Sequence, residues 1–86
     1  MLVSVNKVQN EQLRIRLERA SRRYEALYSQ NKALPVLFLG SNQIKMLTGE
    51  LDKSIFDDKE VIINRVLGMP VVQAAVSDCV AIGFGY

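Results

Sequence analysis

Apolar residues in the first third of the chain recur in a helical rhythm. Leu13, Leu17, Ala20, Tyr24 and Leu27 stand four, three, four and three residues apart. That spacing marks one face of an α-helix, or the a/d seam of a coiled coil. From Asn6 to Gln30 there is no Gly or Pro, and Leu, Arg, Glu and Gln dominate, all good helix formers. The pattern therefore predicts one long helix over Asn6–Gln30, capped by Ser4 or Asn6. Pro35 discourages any continuation through Leu34. In the heptad frame Asn6, Asn10 and Asn31 fall on the seam, where a buried Asn can set register and partner number. Arg14, Arg16 and Arg23 take the e and g flanks, and Glu18 and Glu25 take b. A parallel self-pair would oppose like charges, so an antiparallel pair or an acidic docking surface is easier to accommodate. Glu18 and Arg22 form an i,i+4 pair in the favourable direction.

The rhythm then changes. Val36-Leu37-Phe38-Leu39 is a short apolar run stopped by Gly40 and reads as a buried strand. Ser41 reads as the cap of a helix over residues 42–51, which carries Ile44, Met46, Leu47 and Leu51. Residues 52–60 form a charged connection around Ile55-Phe56. Val61-Ile62-Ile63 and Val66-Leu67 are strand-prone through β-branching. Gly68-Met69-Pro70 breaks or bulges that run, and Pro70 suits an edge strand. Val71–Val76 and Cys79–Phe84 read as two strands of a tight hairpin turning at Ser77-Asp78. The expected fold is α+β: a long N-terminal amphipathic helix, then a small, mostly antiparallel sheet with one short helix. Residues 1–33 would be a helical oligomerisation or docking segment, and residues 34–86 a compact α+β domain.

Composition narrows the classes. The chain has 86 residues, 49% hydrophobic and 23% charged, which argues against disorder. A chain of this size buries only about 60% of its unfolded surface, which favours assembly. No apolar run approaches the roughly 18 residues of a membrane span, so no membrane partner is expected. No basic region followed by an apolar block opens the chain, so no secretory signal is expected. One Cys and no His argue against an internal disulfide, a Cys-rich metal site and the commonest general base. Residues 1–33 hold seven basic and three acidic groups, net +4; residues 34–86 hold four and six, net −2.

Arg14, Arg16, Arg19, Arg22 and Arg23 are the strongest local chemistry. They could track a phosphate backbone, or form a solvated helix face. At 100° per residue Arg16 and Arg23 lie near one side while Arg19 and Arg22 lie elsewhere, and no helix-turn-helix, ribbon or finger pattern accompanies them. Tyr24 and Tyr28 could stack on bases, although tyrosines at this spacing more often serve a core or interface. Asp57, Asp58 and Glu60 could hold a divalent ion, but a hydrated loop is the commoner outcome. Cys79 has no His to activate it and reads as a small buried thiol. Gly40-Ser41 lies between strand and helix, where phosphates bind. Without a Walker pattern it reads as a turn Gly and a capping Ser. Gly83-Phe84-Gly85 lacks the following helix of a dinucleotide site. No catalytic residue, metal, cofactor or small-molecule substrate is expected.

The segments Val66-Leu67-Gly68-Met69-Pro70-Val71-Val72, Ser77-Asp78 and Val80-Ala81-Ile82-Gly83 together resemble a hairpin recurring in tailed-bacteriophage proteins. That hairpin has a hydrophobic-Gly-hydrophobic-Pro-Val strand, a polar turn and a strand ending Ile-Gly. It occurs in small phage accessory proteins and near the end of the major capsid fold. The strand and short helix at 36–51 are similar to what precedes it in the small proteins. The resemblance covers about residues 35–85, leaves out the Arg-rich helix and carries over no catalytic residue. It implies a mobile-element origin and a protein-binding role, in the host cytoplasm or the virion. The leading expectation is a small non-enzymatic interaction protein. It would form a homo-oligomer through Leu13, Leu17, Ala20, Tyr24 and Leu27, or dock on a larger protein. The alternative is a nucleic-acid-binding regulator or packaging factor acting through the arginines.

Overall fold

A computed structural model of the chain describes residues 2–30, 34–51 and 61–84. The elements run β1 (Leu2–Val5), α1 (Glu11–Gln30), β2 (Val36–Leu39), α2 (Ser41–Glu50), β3 (Ile62–Val66), β4 (Met69–Gln73) and β5 (Val80–Gly83). The five strands form one sheet in the order β1-β3-β4-β2-β5. Strands β1/β3 and β2/β4 pair in parallel, and β3/β4 and β2/β5 pair antiparallel. The fold is α+β as the sequence predicts. The sheet, however, is mixed rather than mostly antiparallel, and a strand precedes the long helix. The expected charged connection at 52–60, with Asp57, Asp58 and Glu60, lies outside the described residues.

The first strand corrects the predicted helix start. Leu2-Val3-Ser4-Val5 is too short to announce itself, but it finds β3 as a parallel partner, with Val5 opposite Val66. The helix begins only at Glu11 because Asn10 caps it: the Asn10 side-chain oxygen accepts from the Leu13 N–H at 3.0 Å. The Gln9 and Asn10 N–H groups donate to the two Glu50 carboxylate oxygens at 3.1 and 2.7 Å. Asn10, placed on the seam by the heptad frame, is therefore a cap. The end of α2 holds the entry to α1.

The apolar seam of α1 is laid on the chain's own sheet. Leu13, Leu17 and Ala20 are buried in one cluster with Leu37 and Leu39 of β2, Leu47 of α2, and Val5, Ile63, Val66 and Met69. Tyr24 packs against that cluster from its edge. Because β1 belongs to the sheet and α1 to its core, residues 2–30 and the compact part share one sheet and one core. The division expected at residue 33 has no counterpart in the packing.

Two turns decide the strand order. Between Val66 and Met69, which pair across β3 and β4, Leu67 and Gly68 take φ of 51° and 81°. Both central residues of a type I′ hairpin turn need positive φ, so the tight hairpin sits here and not at Ser77-Asp78. Pro70 is consequently on an inner strand. It opposes Arg65, one position beyond the hydrogen-bonded closing pair. Its nitrogen therefore faces β2, where the ladder starts only at Val71. The missing N–H costs no ladder bond.

The second turn overturns the expected hairpin of residues 71–84. Strands β4 and β5 do not pair: they flank β2 on opposite sides. The β2/β4 ladder ends with the Ala74 N–H donating to the Leu39 carbonyl at 2.8 Å. The chain then crosses the end of β2 and returns antiparallel on its other side. Side chains alternate along β2, so Leu37 and Leu39 are fully buried beneath the helices. Phe38, Val72 and Ala81 form a row on the opposite face. Among the described residues no helix covers that face.

Candidate functional site

The crossing segment and the start of α2 build one corner of the site. Gly40 is the cap of α2, with no side-chain cap bond, which corrects the expectation for Ser41. The N–H groups of Gly40, Ser41 and Asn42 donate to the carbonyls of Cys79, Val76 and Ser77 at 2.9, 3.2 and 2.9 Å. Three N–H groups at this helix N-terminus are thus taken by the chain's own carbonyls, the place a phosphate would fill, so the Gly40-Ser41 motif serves the crossing segment. Gly40 is required for this approach: a Cβ there would stand 2.6 Å from the Ser77 oxygen.

Gln43, 4% exposed, ties the segment down. Its amide nitrogen donates to an Asp78 carboxylate oxygen, and its amide oxygen accepts from the Cys79 N–H at 3.1 Å. Asp78 also accepts from Arg16 at 3.1 Å. The Arg16 hydrogen bond first, then the Gln43 bond and the Arg16 charge, hold the Asp78 carboxyl below its ordinary 3.8. A depressed carboxyl stabilises the fold above its unfolded value, and that contribution is lost as pH falls through the folded value. Wild type should therefore melt above Asp78→Asn at neutral pH, and the gap should close as pH drops below 3.8. Paired thermal melts across acid pH measure this, and a gap that persisted at low pH would assign the effect to something other than the carboxylate.

Above this corner runs an open groove of about 250 Å³ between α1 and β5. Arg16, Arg19, Ala20 and Arg23 form its helical wall, and Val80, Ala81 and Ile82 its floor. The arginine reading is thus amended. Arg19 does not lie elsewhere: positions i, i+3 and i+7 bring Arg16, Arg19 and Arg23 to one groove over about 10 Å of helix. Arg14 pairs with Glu18 at 2.9 Å, taking the partner expected for Arg22. Among the described residues Arg19, Arg22 and Arg23 make no ion pair.

The seam residues do not join the arginines at the surface. Leu13, Leu17 and Ala20 are core, while Tyr24 and Leu27 are half-buried. Tyr28 is exposed and stacks on Tyr24, with centroids 6.2 Å apart and planes 17° apart. Cys79 is a half-buried free thiol. Among the described residues no three metal-ligating side chains gather, and no helix is long and apolar enough to cross a membrane. The feature the sequence concealed is the β5 edge itself, because reading residues 71–84 as a hairpin gave that edge to β4. The only signal for it was the poor fit of Ser77-Asp78 to a primed turn.

No protein-family model matches the chain, and no curated protein or solved structure matches it.

Proposed function

We infer that this chain is a non-enzymatic docking protein that engages an acidic segment of a larger protein through the groove between α1 and β5. The supporting observation is the convergence of Arg16, Arg19 and Arg23 beside an edge strand. The apolar seam that could have joined two copies is spent on the protein's own core. The groove's charged side chains are guanidinium ions, which suit holding carboxylates in bidentate pairs. The resemblance to small tailed-phage accessory proteins supports a virion component or a host protein as partner. It rests on the sequence pattern alone, since its two strands do not pair with each other here.

Nucleic-acid binding draws on the same arginines and makes a different forecast. Three groove arginines neutralise about three phosphates, so single-strand binding would show a log–log salt slope of only about −2. The test is fluorescence anisotropy with a labelled glutamate-rich peptide and a labelled single strand of similar length, between about 50 and 200 mM salt. The expected result is peptide binding that weakens about tenfold or more in Arg19→Glu/Arg23→Glu, with the oligonucleotide bound no more tightly than the peptide. An oligonucleotide bound far more tightly, with a slope near −6 or steeper, would replace this reading with the nucleic-acid one.

A further inference from the structure

The hydrogen-bond pattern of β5 shows which of its backbone groups are unused. The Gly40 N–H donates to the Cys79 carbonyl, and these residues continue the antiparallel register in which Leu39 faces Val80. Gly40 and Cys79 thus occupy a hydrogen-bonding position of the ladder, keeping one of its two bonds while the Cys79 N–H donates to Gln43. Such pairs alternate along an antiparallel ladder, so Phe38/Ala81 and Val36/Gly83 bond while Leu39/Val80 and Leu37/Ile82 do not. The N–H and C=O groups of Val80 and Ile82 consequently point away from β2. Strand β5 is the last in the sheet, and these same residues floor the arginine groove. Among the described residues no strand pairs with this edge, so an open backbone edge and a wall of guanidinium groups share one cleft.

An unprotected edge is a template for another strand, and its surroundings select the occupant. A second copy of this chain is disfavoured, because edge-to-edge pairing would bring two sets of Arg16, Arg19 and Arg23 towards each other. A strand added beside β5 would alternate its side chains across the sheet. One set would face α1 and its arginines, and the other would extend the open row of Phe38, Val72 and Ala81. Alternate residues of an extended chain lie about 6.7 Å apart. The roughly 10 Å from Arg16 to Arg23 therefore spans two successive positions of one set.

We propose that β5 is a strand-addition edge: an extended segment of a protein partner, with acidic residues alternating with apolar ones, pairs with Val80 and Ile82 and turns its carboxylates to Arg19 and Arg23. This rests on the docking role inferred above and specifies the partner's chemistry and binding mode. Backbone bonds supply the register, and the arginines select acidic sequences.

The experiment uses the full chain, isotope-labelled, with an acetylated and amidated octapeptide alternating glutamate and valine. Peptide binding should slow amide exchange at Val80 and Ile82 by about tenfold or more, as ordered backbone bonds do. Ile82→Pro removes one outward N–H while leaving the β2 ladder intact, and should bind about tenfold more weakly. Arg19→Glu/Arg23→Glu should lose binding as well. The exchange measurement needs no variant, so it decides the matter even where Ile82→Pro fails to fold. Binding that depends on the arginines but leaves exchange at Val80 and Ile82 unchanged would overturn strand addition and leave the docking role standing. No binding, or binding indifferent to the arginine reversal, would overturn both.

Discussion

Gly40→Ala will lower the melting temperature by tens of degrees or leave the chain unfolded. The added methyl would lie 2.6 Å from the Ser77 oxygen and 2.7 Å from the Cys79 nitrogen and the Ser77 carbonyl carbon. All three are backbone atoms, so no side-chain rotation relieves the overlap. Overpacking of this kind costs about 1–3 kcal/mol. Moving the segment aside also loosens the three bonds from Gly40, Ser41 and Asn42 to the 76–79 carbonyls, each contributing about 1 kcal/mol. A loss of roughly 3–5 kcal/mol corresponds to about 15–30 °C in a domain of this size. Gly49→Ala is the control. That glycine lies in α2 with nothing within 4 Å of its Cβ position, so alanine there should stabilise by about 0.5–1 kcal/mol. Thermal melts of both variants check the pair. Equal effects at the two positions would mean that the close approach at Gly40 is not what demands glycine.

Leu17→Ala will destabilise the fold of the single chain rather than dissociate an assembly. Leu17 is fully buried among Leu37, Leu39 and Leu47. Truncating such a leucine costs about 2–5 kcal/mol through lost transfer energy and the residual cavity. Against total stabilities of about 5–15 kcal/mol, that is a large fraction. Urea denaturation followed by circular dichroism, with light scattering on the same samples, separates the two behaviours. A seam between chains would give a smaller particle with unchanged helicity. A seam within the chain gives an unfolding midpoint shifted to lower urea at constant native mass.

The two variants also mark where sequence reading succeeds and fails. The spacing of Leu13, Leu17 and Ala20 showed a buried helical face, but that face is the same whether a partner helix or the chain's own sheet covers it. Only the presence of β2 beneath it decides. Asn10 illustrates a local competition: its position fits the heptad seam, yet an Asn before Glu11 satisfies an orphan N–H better as a cap. The short strand Leu2–Val5 carried too few residues to be set apart from a helix lead-in. At the other end, the strands expected over Val71–Val76 and Cys79–Phe84 are present in part, as Met69–Gln73 and Val80–Gly83, and they do not pair with each other, although adjacency in sequence usually means adjacency in a sheet. The positive φ of Leu67, a residue that rarely adopts it, hid the real hairpin turn.

The candidate site was legible only in its parts. Five arginines on one helix are visible in the sequence, and at about 100° per residue Arg19 stands within about 60° of both Arg16 and Arg23; what the sequence does not show is the strand β5 that turns that side of α1 into a groove. A side chain as long as arginine reaches across a wide arc, and the groove beside β5 gathers those within reach. Asp78 looked like a turn residue and proves to be the shared partner of Arg16 and Gln43.

Local physical chemistry was enough to determine the α+β class, the buried run Val36–Leu39, the helix that follows it, the apolar face of α1 and the absence of His. Each depends on propensity, periodicity or composition within a few residues. The mixed sheet, the insertion of β2 between β4 and β5, the glycine requirement at position 40 and the free edge of Val80 and Ile82 were decided by the tertiary structure. They depend on which strands meet across long stretches of chain. That choice is made by burying Leu37 and Leu39 under two helices at once, a cooperative gain that no local window contains.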